Sequence, residues 1–450
     1  MQSLNLGDKR RNRRAVTLLA ALSRQPDASI PVACGSPAQR KAAYRHLNLD
    51  LDHQAWFEPH WEKTAERSRE YEYVLAVSDT TELDFTGLST LEGAGPIDGA
   101  YCRGLKVHSV LAVSPEGVPL GLLDQQVWAR DEEEQGGRKT RRKRAPDEKE
   151  SWKWRTGAEA CQARLPEQVP FIYVGDREAD CYSLLGMPRR AGMDLLIRAT
   201  HNRKLKDPEY RYLKEAVGAA PVLGHVRLTL ARSKKREERE AVLEVRSARV
   251  VLDKPRHGTN GQGLAPVEVS VVLARELDET AGRNERVEWL LLSTRKAESL
   301  EESVWCIQSY ALRWRVERFH FTLKSGCGIE KLQLETAERI KRALALYSII
   351  AWRLLHMTYF ARAEPDAPCT LVLEPDEWKA LVLVRPGRKA KEPLRPPTIR
   401  EAVRQIANFG GFMGRKGDGD PGVKSIWTGF RRLMDFTHAY RMATQDVGNG

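Results

Sequence analysis

The stretch at residues 310–324, Y-A-L-R-W-R-V-E-R-F-H-F-T-L-K, determines how the rest of the sequence is interpreted. It contains neither Pro nor Gly, and its apolar residues recur at the helical spacing i, i+4, i+7 and i+11. These apolar residues are Leu312, Val316, Phe319 and Leu323. The spacing predicts one helix with a buried stripe, which ends at Ser325 and Gly326.

The other side of this predicted helix is polar. At about 100° per residue, four side chains fall within roughly 60° of one another. They are Tyr310, Arg313, Glu317 and Lys324. A solvated face with an i,i+4 ion pair between Arg313 and Glu317 explains this pattern as well as a functional site does. The helix by itself therefore leaves both interpretations open.

Two aspartates elsewhere in the chain favour a site. Asp79 follows the apolar run Y-V-L-A-V-S, and Asp176 follows F-I-Y-V-G, so each is predicted to end a buried strand. Ligands of open α/β sheets bind at the carboxyl ends of strands. Together with Glu317, these carboxylates could hold one or two Mg²⁺ or Mn²⁺ ions, with the basic residues of the helix facing a phosphate backbone.

The pattern Y-x-x-R-W-x-V-E-x-F-H-x-x-L-K-x-G resembles the signature helix of the DDE transposases of bacterial insertion sequences, in the IS-four group with its Tn-five-like branch. D-T-T at Asp79 and D-R-E-A-D at Asp176 resemble the first two acidic motifs of that family. The resemblance extends from L-G-D-K-R-R at Leu6 to G-G-F-M at Gly410. It implies cut-and-paste transposition, with Asp79, Asp176 and Glu317 as catalytic residues that hold two metal ions.

The resemblance also implies partners and contacts. The partners are double-stranded DNA, both transposon ends and target, and a second copy of the chain in a synaptic homodimer. The DNA contacts on the signature helix would come from Tyr310, Arg313, Trp314 and Lys324. Trp289 matches a tryptophan that stacks on a flipped base, although its sequence context without the resemblance favours a buried strand tryptophan.

Further candidate DNA contacts lie in basic segments. Arg40 and Lys41 fall in a predicted helix that begins with Ser36 as its N-cap, and a small helical unit with basic edges could read DNA. An ordinary solvated helix pair is the alternative. Arg203 lies in the basic segment T-H-N-R-K-L-K, and a basic block at 138–144 is predicted either to bind phosphates or to stay solvated.

The order strand, hairpin, helix, strand, helix, strand predicts an α/β fold with an RNase H-like core, a mixed sheet flanked by helices. Alternating segments at about 225–290 predict an all-β insertion. The predicted domains are a helical DNA-binding domain at 1–70, the catalytic core at 71–365 and a helical dimerisation region at 366–450. His108, inside a predicted strand, is interpreted as a buried or near-site residue rather than a metal ligand.

Composition limits the class of protein. A net charge of +12 and a pI near 9.3 favour a polyanionic partner, although a merely basic soluble protein would share them. Seven scattered cysteines without a C-x-x-C pair indicate a reducing cytoplasm rather than a zinc site. The N-terminus lacks the apolar region of a secretory signal, and no apolar run approaches the length of a membrane helix. These features predict a cytoplasmic protein, and the resemblance implies a bacterial, nucleoid-associated one.

Two other functions share parts of this pattern. A non-transposing nuclease of RNase H-like fold would carry the same three carboxylates but would not need the basic N-terminal helices or a dimerisation region. A DNA-binding inhibitor of transposition would keep the N-terminal helices without cutting DNA. The complete set of three carboxylates favours an active enzyme.

Overall fold

The computed structural model describes residues 3–131, 149–230, 239–255, 265–277, 286–385, 387 and 394–446. The basic block at 138–144 lies outside these residues, so the prediction made for it stays a prediction.

The N-terminal region is helical, as predicted. Its helices are α1 (Lys9–Arg24), α2 (Ile30–Cys34), α3 (Pro37–Leu47) and α4 (Glu58–Ser68), with a 3-10 turn at His53–Trp56. The predicted N-cap of α3 is confirmed, because the Ser36 hydroxyl accepts a hydrogen bond from the backbone N–H of Gln39 at 3.2 Å. Leu18 and Leu22 of α1 and Leu47 of α3 are buried and join the main core.

One mixed sheet forms the centre of the protein. In chain order its strands are β1 (Val74–Asp84), β2 (Gly95–Pro96), β3 (Arg103–Val113), β4 (Pro119–Trp128), β5 (Phe171–Gly175), β6 (Met193–Arg198), β7 (Val222–Leu230), β8 (Arg239–Leu252), β9 (Val267–Glu276) and β10 (Glu288–Ser293). Their spatial order is β2-β3-β1-β5-β6-β10-β9-β8-β7, with β4 pairing to the outside of β3.

The first half of this sheet has the predicted RNase H-like arrangement. The hairpin of β3 and β4 is antiparallel to β1, whereas β1, β5 and β6 run parallel. Helices α5 (Trp152–Arg164) and α6 (Tyr182–Leu185) connect the parallel strands, because parallel neighbours need a crossover. All five residues of β5 are buried, as expected for a strand covered on both faces.

The predicted all-β insertion continues the same sheet. After α7 (Leu213–Ala219), strands β7, β8 and β9 pair in antiparallel order, and β10 joins β9 to β6. The run from Trp289 to Ser293 in β10 is buried, so this strand is a central connection rather than an exposed edge. The insertion therefore extends the catalytic sheet sideways.

The prediction of one continuous helix over residues 310–324 is wrong, because the segment is divided between two helices and a π-helical turn. Helix α8 (Leu300–Ala311) ends first, α9 (Trp314–Phe321) starts after a tight turn, and a π-helical turn follows at Thr322–Gly326. The turn forms because the N–H groups of Arg313, Arg315 and Val316 each donate to the carbonyl three residues earlier. Val316, Phe319 and Leu323 are fully buried as predicted, whereas Leu312, at the break, is only half-buried.

The long helix α10 (Ala337–Ala363) is a core helix, because most of its residues are buried. It is long and apolar enough to span a membrane, contrary to the expectation from the sequence, but 67% of its most apolar window is buried inside the protein. Helices α11 (Pro375–Leu383), α12 (Ile399–Phe409) and α13 (Val423–Asp446) complete the C-terminal region. Both α12 and α13 pack against α10.

Candidate active site

Asp79 lies within β1 rather than after its end, which corrects the sequence prediction. The parallel pairing of β1 with β5 stops at Val77 and Val174, but the antiparallel pairing with β3 continues through Asp79 to Asp84. The strand continues because β3 is long enough to supply partners after β5 has ended. Asp79 thus lies where β1 loses one of its two neighbours.

Asp176 stands level with Asp79. Val77 is paired with Val174, and each aspartate lies two residues beyond its valine (79 − 77 = 176 − 174 = 2). The Asp176 carboxylate caps the 3-10 turn at Arg177–Ala179 by accepting the Glu178 N–H at 2.8 Å. The two carboxylates therefore lie at the carboxyl end of two adjacent parallel strands, where α/β sheets bind ligands.

Glu317 supplies a third carboxylate from the first turn of α9, which packs on β1 and β3. Arg313, just before α9, lies between the acidic side chains. Its Nη1 is 3.3 Å from Asp79 Oδ2, and its Nη2 donates to Glu317 Oε1 at 2.5 Å. The guanidinium therefore bridges a strand carboxylate and a helix carboxylate, and only the pair with Glu317 was expected from the sequence.

The electrostatics of this cluster reflect crowding of negative charge. Burial raises the pKa of Asp79 to about 7, and repulsion from Asp176 and Glu317 adds to the shift against the opposing effect of Arg313. Burial likewise raises the pKa of Glu317, with a further contribution from Asp176. One guanidinium therefore does not balance three carboxylates, and a divalent cation at this position would relieve the repulsion.

The chemistry of the three side chains fits a hard divalent ion, because Mg²⁺ and Mn²⁺ prefer carboxylate oxygens. Among the described residues, however, no group of three acidic, His or Cys side chains is arranged so that it could bind a metal ion without rearrangement. Asp79 and Glu317 are each engaged by Arg313 instead. Holding an ion with all three carboxylates therefore requires a change in the Arg313 contacts.

Tyr310 and Trp289 form an aromatic pair beneath the cluster. Tyr310 is 3% exposed and Trp289 8% exposed, so neither ring is open to solvent. The compact polar face predicted for the signature helix is therefore incomplete, because Tyr310 is turned into the core. Its ring lies beside Arg313, whose pKa is raised by Tyr310, Asp79 and Glu317 although burial acts in the other direction.

The other predicted DNA contacts differ in accessibility. Lys324 Nζ donates to the Glu82 carbonyl at 2.8 Å and lies 2.9 Å from Glu330 Oε1, with its side chain 30% exposed. Trp314, by contrast, is 50% exposed at the start of α9. Arg40 and Lys41 are exposed on α3. These positions leave Trp314, Arg40 and Lys41 directly accessible to a ligand.

Arg203 is occupied by a structural contact. Its Nε and Nη2 donate to Asp180 Oδ1 at 2.7 and 2.5 Å, while Asp180 Oδ2 accepts the N–H groups of Thr200 and His201. Asp180 is the last residue of D-R-E-A-D and its side chain is fully buried. A buried carboxylate needs such partners, so this pair fixes the segment after β6 against the loop that carries Asp176.

A buried network behind Asp79 could not be recognised from the sequence. His108 of β3 lies opposite Thr80, with its Nδ1 3.0 Å from the Thr80 hydroxyl and its Nε2 3.4 Å from the Tyr173 hydroxyl. Burial lowers the pKa of His108 well below its ordinary value, so the ring is neutral. The interpretation of His108 as a buried near-site residue is confirmed.

An RNase H-like sheet with acidic side chains at the end of its central parallel strands, and a third on a helix packed beside them, defines a class of enzymes that transfer phosphoryl groups of nucleic acids. The Transposase DDE domain family model matches residues 97–354, more than half of the chain. The chain belongs to the DDE transposases, which are metal-dependent enzymes of DNA cleavage and strand transfer. The match includes Asp176 and Glu317, whereas Asp79 precedes it.

Two further family models match the ends of the chain. Transposase DNA-binding matches residues 1–50, and Transposase Tn5 dimerisation domain matches residues 349–450. They indicate DNA binding by the N-terminal helices and dimer formation by the C-terminal region. The residue boundaries of the three predicted domains stay predictions, as do the roles of individual DNA-contacting side chains.

Proposed function

We propose that this transposase excises and inserts an insertion sequence by nicking each end, forming a hairpin, opening it and joining the freed strand to target DNA. A homodimer holds the two ends, and the reaction takes place on the DNA of the bacterial cytoplasm. One observation supports the proposal most directly. Asp79 and Asp176 lie at the same position along two adjacent parallel strands, and the Arg313 guanidinium bridges Asp79 and Glu317.

Asp79, Asp176 and Glu317 would hold two Mg²⁺ or Mn²⁺ ions. Two such ions, when bound, supply an activated water and stabilise the leaving oxygen, so that no separate general base is needed. Asp79 interacts electrostatically with both Asp176 and Glu317, so the three carboxylates would act together on the same ions. The protein contributes a rigid position for each oxygen donor, from two strands and one helix.

Arg313 and Lys324 would hold phosphates beside the one that is cut. Both are cations within a few residues of Glu317, and Arg313 offers the forked geometry that suits phosphate oxygens. Trp314 is exposed beside them and would contact the same DNA segment. The buried pair of Trp289 and Tyr310 lies below Arg313, and Trp289 would receive an unstacked base only after the rings separate.

The N-terminal helices would supply much of the binding energy for the DNA ends. Helix α1 exposes Arg10, Arg11 and Arg13, and α3 exposes Arg40 and Lys41. Exposed cations on neighbouring helices neutralise phosphates and release counterions. This distribution supports a transposase over a simple nuclease, because a nuclease needs no separate end-binding surface.

The test is cleavage of a duplex carrying the inverted repeat of the parent element, with Mg²⁺ present. Asp79→Asn, Asp176→Asn and Glu317→Gln should each abolish cleavage and leave binding of the duplex nearly unchanged. Glu159→Gln, which alters an exposed carboxylate on α5, is the control and should cut normally. Full cleavage by one of the three variants would remove that residue from the site.

The same assay separates the alternatives. A transposase produces hairpins and joins the ends to a second DNA molecule. A nuclease would give nicked or broken duplex without joining, and an inhibitor would bind the duplex without any cleavage. Either of these two results with the wild-type protein would overturn the proposed function.

A further inference from the structure

Arg313 contacts the acidic cluster in a way that links metal binding to DNA binding. We propose that Arg313 is an internal counter-cation of Asp79 and Glu317, which a divalent ion displaces and a DNA phosphate draws away. Metal binding and DNA binding then assist each other through this one side chain. The inference rests on the proposed function and describes how its site is regulated.

The first support is the geometry of the guanidinium. One nitrogen faces Asp79 at 3.3 Å and the other donates to Glu317 at 2.5 Å, and the side chain is 9% exposed. Its Nε is buried and has no hydrogen-bond partner within the part of the chain that the structure describes. The arginine is thus held mainly by these two carboxylates, rather than by a full set of structural hydrogen bonds as Arg203 is.

The second support is competition for the same oxygens. A divalent ion held by Asp79 and Glu317 competes with Arg313, which faces Asp79 Oδ2 and Glu317 Oε1, for the negative charge of the same two carboxylates. It also repels the guanidinium, because like charges a few ångströms apart interact strongly in a partly buried site. Binding of the ion therefore requires Arg313 to release at least one carboxylate, and the arginine weakens metal binding for as long as it stays in place.

The third support is the position to which Arg313 can move. It is the residue at the break between α8 and α9, where its backbone makes hydrogen bonds to residues three positions away and its side chain projects from the turn. Its guanidinium carbon lies 5.5 Å from the ring centroid of Trp314, which is half-exposed. A short rotation toward this ring brings the fork to the surface, where it could bind two oxygens of one phosphate.

These relationships make the two ligands cooperative. A phosphate that binds Arg313 removes the competitor of the metal ion, and a metal ion that displaces Arg313 makes it available to a phosphate. By thermodynamic linkage, DNA must raise the metal affinity by the same factor by which metal raises the DNA affinity. The negative charge of the resting site is therefore partly offset by Arg313, and the site becomes fully competent for metal only when DNA is present.

The test measures Mn²⁺ binding to the full-length protein by the paramagnetic resonance signal of free Mn²⁺, with and without a DNA duplex. Arg313→Gln should bind Mn²⁺ about tenfold more tightly than wild type without DNA, because the competing charge is gone. The duplex should tighten Mn²⁺ binding to wild type by a similar factor and leave Arg313→Gln unchanged. Arg318→Gln, an exposed arginine on the same helix, should behave as wild type.

Asp79→Asn defines the background, because it removes a ligand and shows how much Mn²⁺ binds to DNA or to other surfaces. Arg313→Lys keeps the charge but has no fork, so it should show a smaller gain in the same direction. If Arg313→Gln fails to fold, Arg313→Lys decides the question, because its response to the duplex should be smaller than that of wild type.

Equal or weaker Mn²⁺ binding by Arg313→Gln, or no effect of the duplex on wild type, would overturn the counter-cation role. Failure of the proposed function gives a different result, in which Asp79→Asn loses no Mn²⁺ site and wild type does not cut DNA. A third result is possible, in which wild type cuts DNA and Asp79→Asn lacks a Mn²⁺ site, but Arg313→Gln binds Mn²⁺ no more tightly than wild type. In that case only the counter-cation inference is wrong.

Discussion

The ring of Trp289 stands edge-on to the ring of Tyr310, with centroids 5.1 Å apart and planes at 71°. This contact joins β10, the strand that closes the insertion, to the last turn of α8, immediately before the break that holds Arg313. Edge-to-face pairs of this kind stabilise by about 0.5–1.5 kcal/mol beyond the burial of their surface. The aromatic pair therefore couples the extended sheet to the helix that carries the site.

We expect Trp289→Ala to nick transposon ends at a near-normal rate and to form hairpins poorly. The base next to the cut must leave the stack, and an aromatic plane returns about 1–3 kcal/mol by stacking. The measurement is the ratio of hairpin to nicked product, and a substrate with an abasic site at the flipped position should partly restore it.

Trp289→Phe separates stacking from stability. Loss of the buried ring in Trp289→Ala costs about 3–5 kcal/mol, whereas phenylalanine keeps an aromatic contact with Tyr310. Hairpin formation should therefore recover in Trp289→Phe more than in Trp289→Ala. If nicking and hairpin formation fall together and the melting temperature drops in parallel, Trp289 is only a core residue.

Lys324→Ala should weaken binding of transposon ends and lower the slope of log affinity against log salt by about one. The Lys324 ammonium is paired with Glu330 and its side chain is partly exposed, so it can exchange Glu330 for a phosphate. Lys331→Ala, seven positions after Lys324 and exposed, is the control for loss of a charge alone at a nearby position. An unchanged slope with a lowered melting temperature would assign Lys324 to structure.

Removal of the residues after about Pro397 should leave a protein that binds one DNA end but does not pair two. This deletion also uncovers the core, because Trp427 of α13 packs against Gly326, where an added Cβ would meet the ring at 2.8 Å. Met442→Glu is the milder variant, since Met442 is 57% exposed on α13 and its replacement leaves the monomer core intact.

Paired-end complexes are measured by gel mobility with two labelled ends of different length. Met442→Glu should reduce pairing while its melting temperature stays at the wild-type value. Pairing that survives both the deletion and Met442→Glu would place the dimer interface outside the C-terminal region.

Acid should destabilise the N-terminal helices through His46. Burial, assisted by Arg14 and Arg11, lowers the pKa of His46 to about 4, and Trp56 donates its indole N–H to the His46 Nε2 at 3.2 Å. In the unfolded chain this histidine takes up a proton near pH 6.5, whereas in the folded chain it stays neutral until the pH approaches 4. The free energy of unfolding should therefore fall as the pH drops from about 6.5 to 4, by up to about 1.4 kcal/mol per pH unit from this histidine.

The measurement is denaturant unfolding at a series of pH values between 7.5 and 4.5. His46→Gln keeps an acceptor for Trp56 without a titrating ring, so its stability should depend less steeply on pH than that of wild type. Parallel curves for the two proteins would show that His46 does not control this dependence.

Local patterns in the sequence determined most of the secondary structure. The burial of Val316, Phe319 and Leu323, the cap at Ser36 and the order of the core strands each follow from spacing or from a capping side chain over a few residues. The family was also accessible from the sequence, because the acidic motifs and the signature pattern are short and rich in chemically specific residues.

The tertiary structure decided the relationships between distant segments. The equal level of Asp79 and Asp176 follows from the register of β1 on β5, which no local pattern specifies. The break before α9 and the inward position of Tyr310 depend on what packs against them, since residues 310–324 alone read as one continuous helix.

Arg313 shows the division most directly. The ion pair between Arg313 and Glu317 could be predicted from their i,i+4 spacing, because neighbouring turns of a helix bring such side chains together. Its contact with Asp79 joins residues 234 positions apart, and only the packing of α9 on β1 brings them within reach. Sequence spacing fixes contacts within one element, whereas charge neutralisation across the site is set by where the folded elements meet.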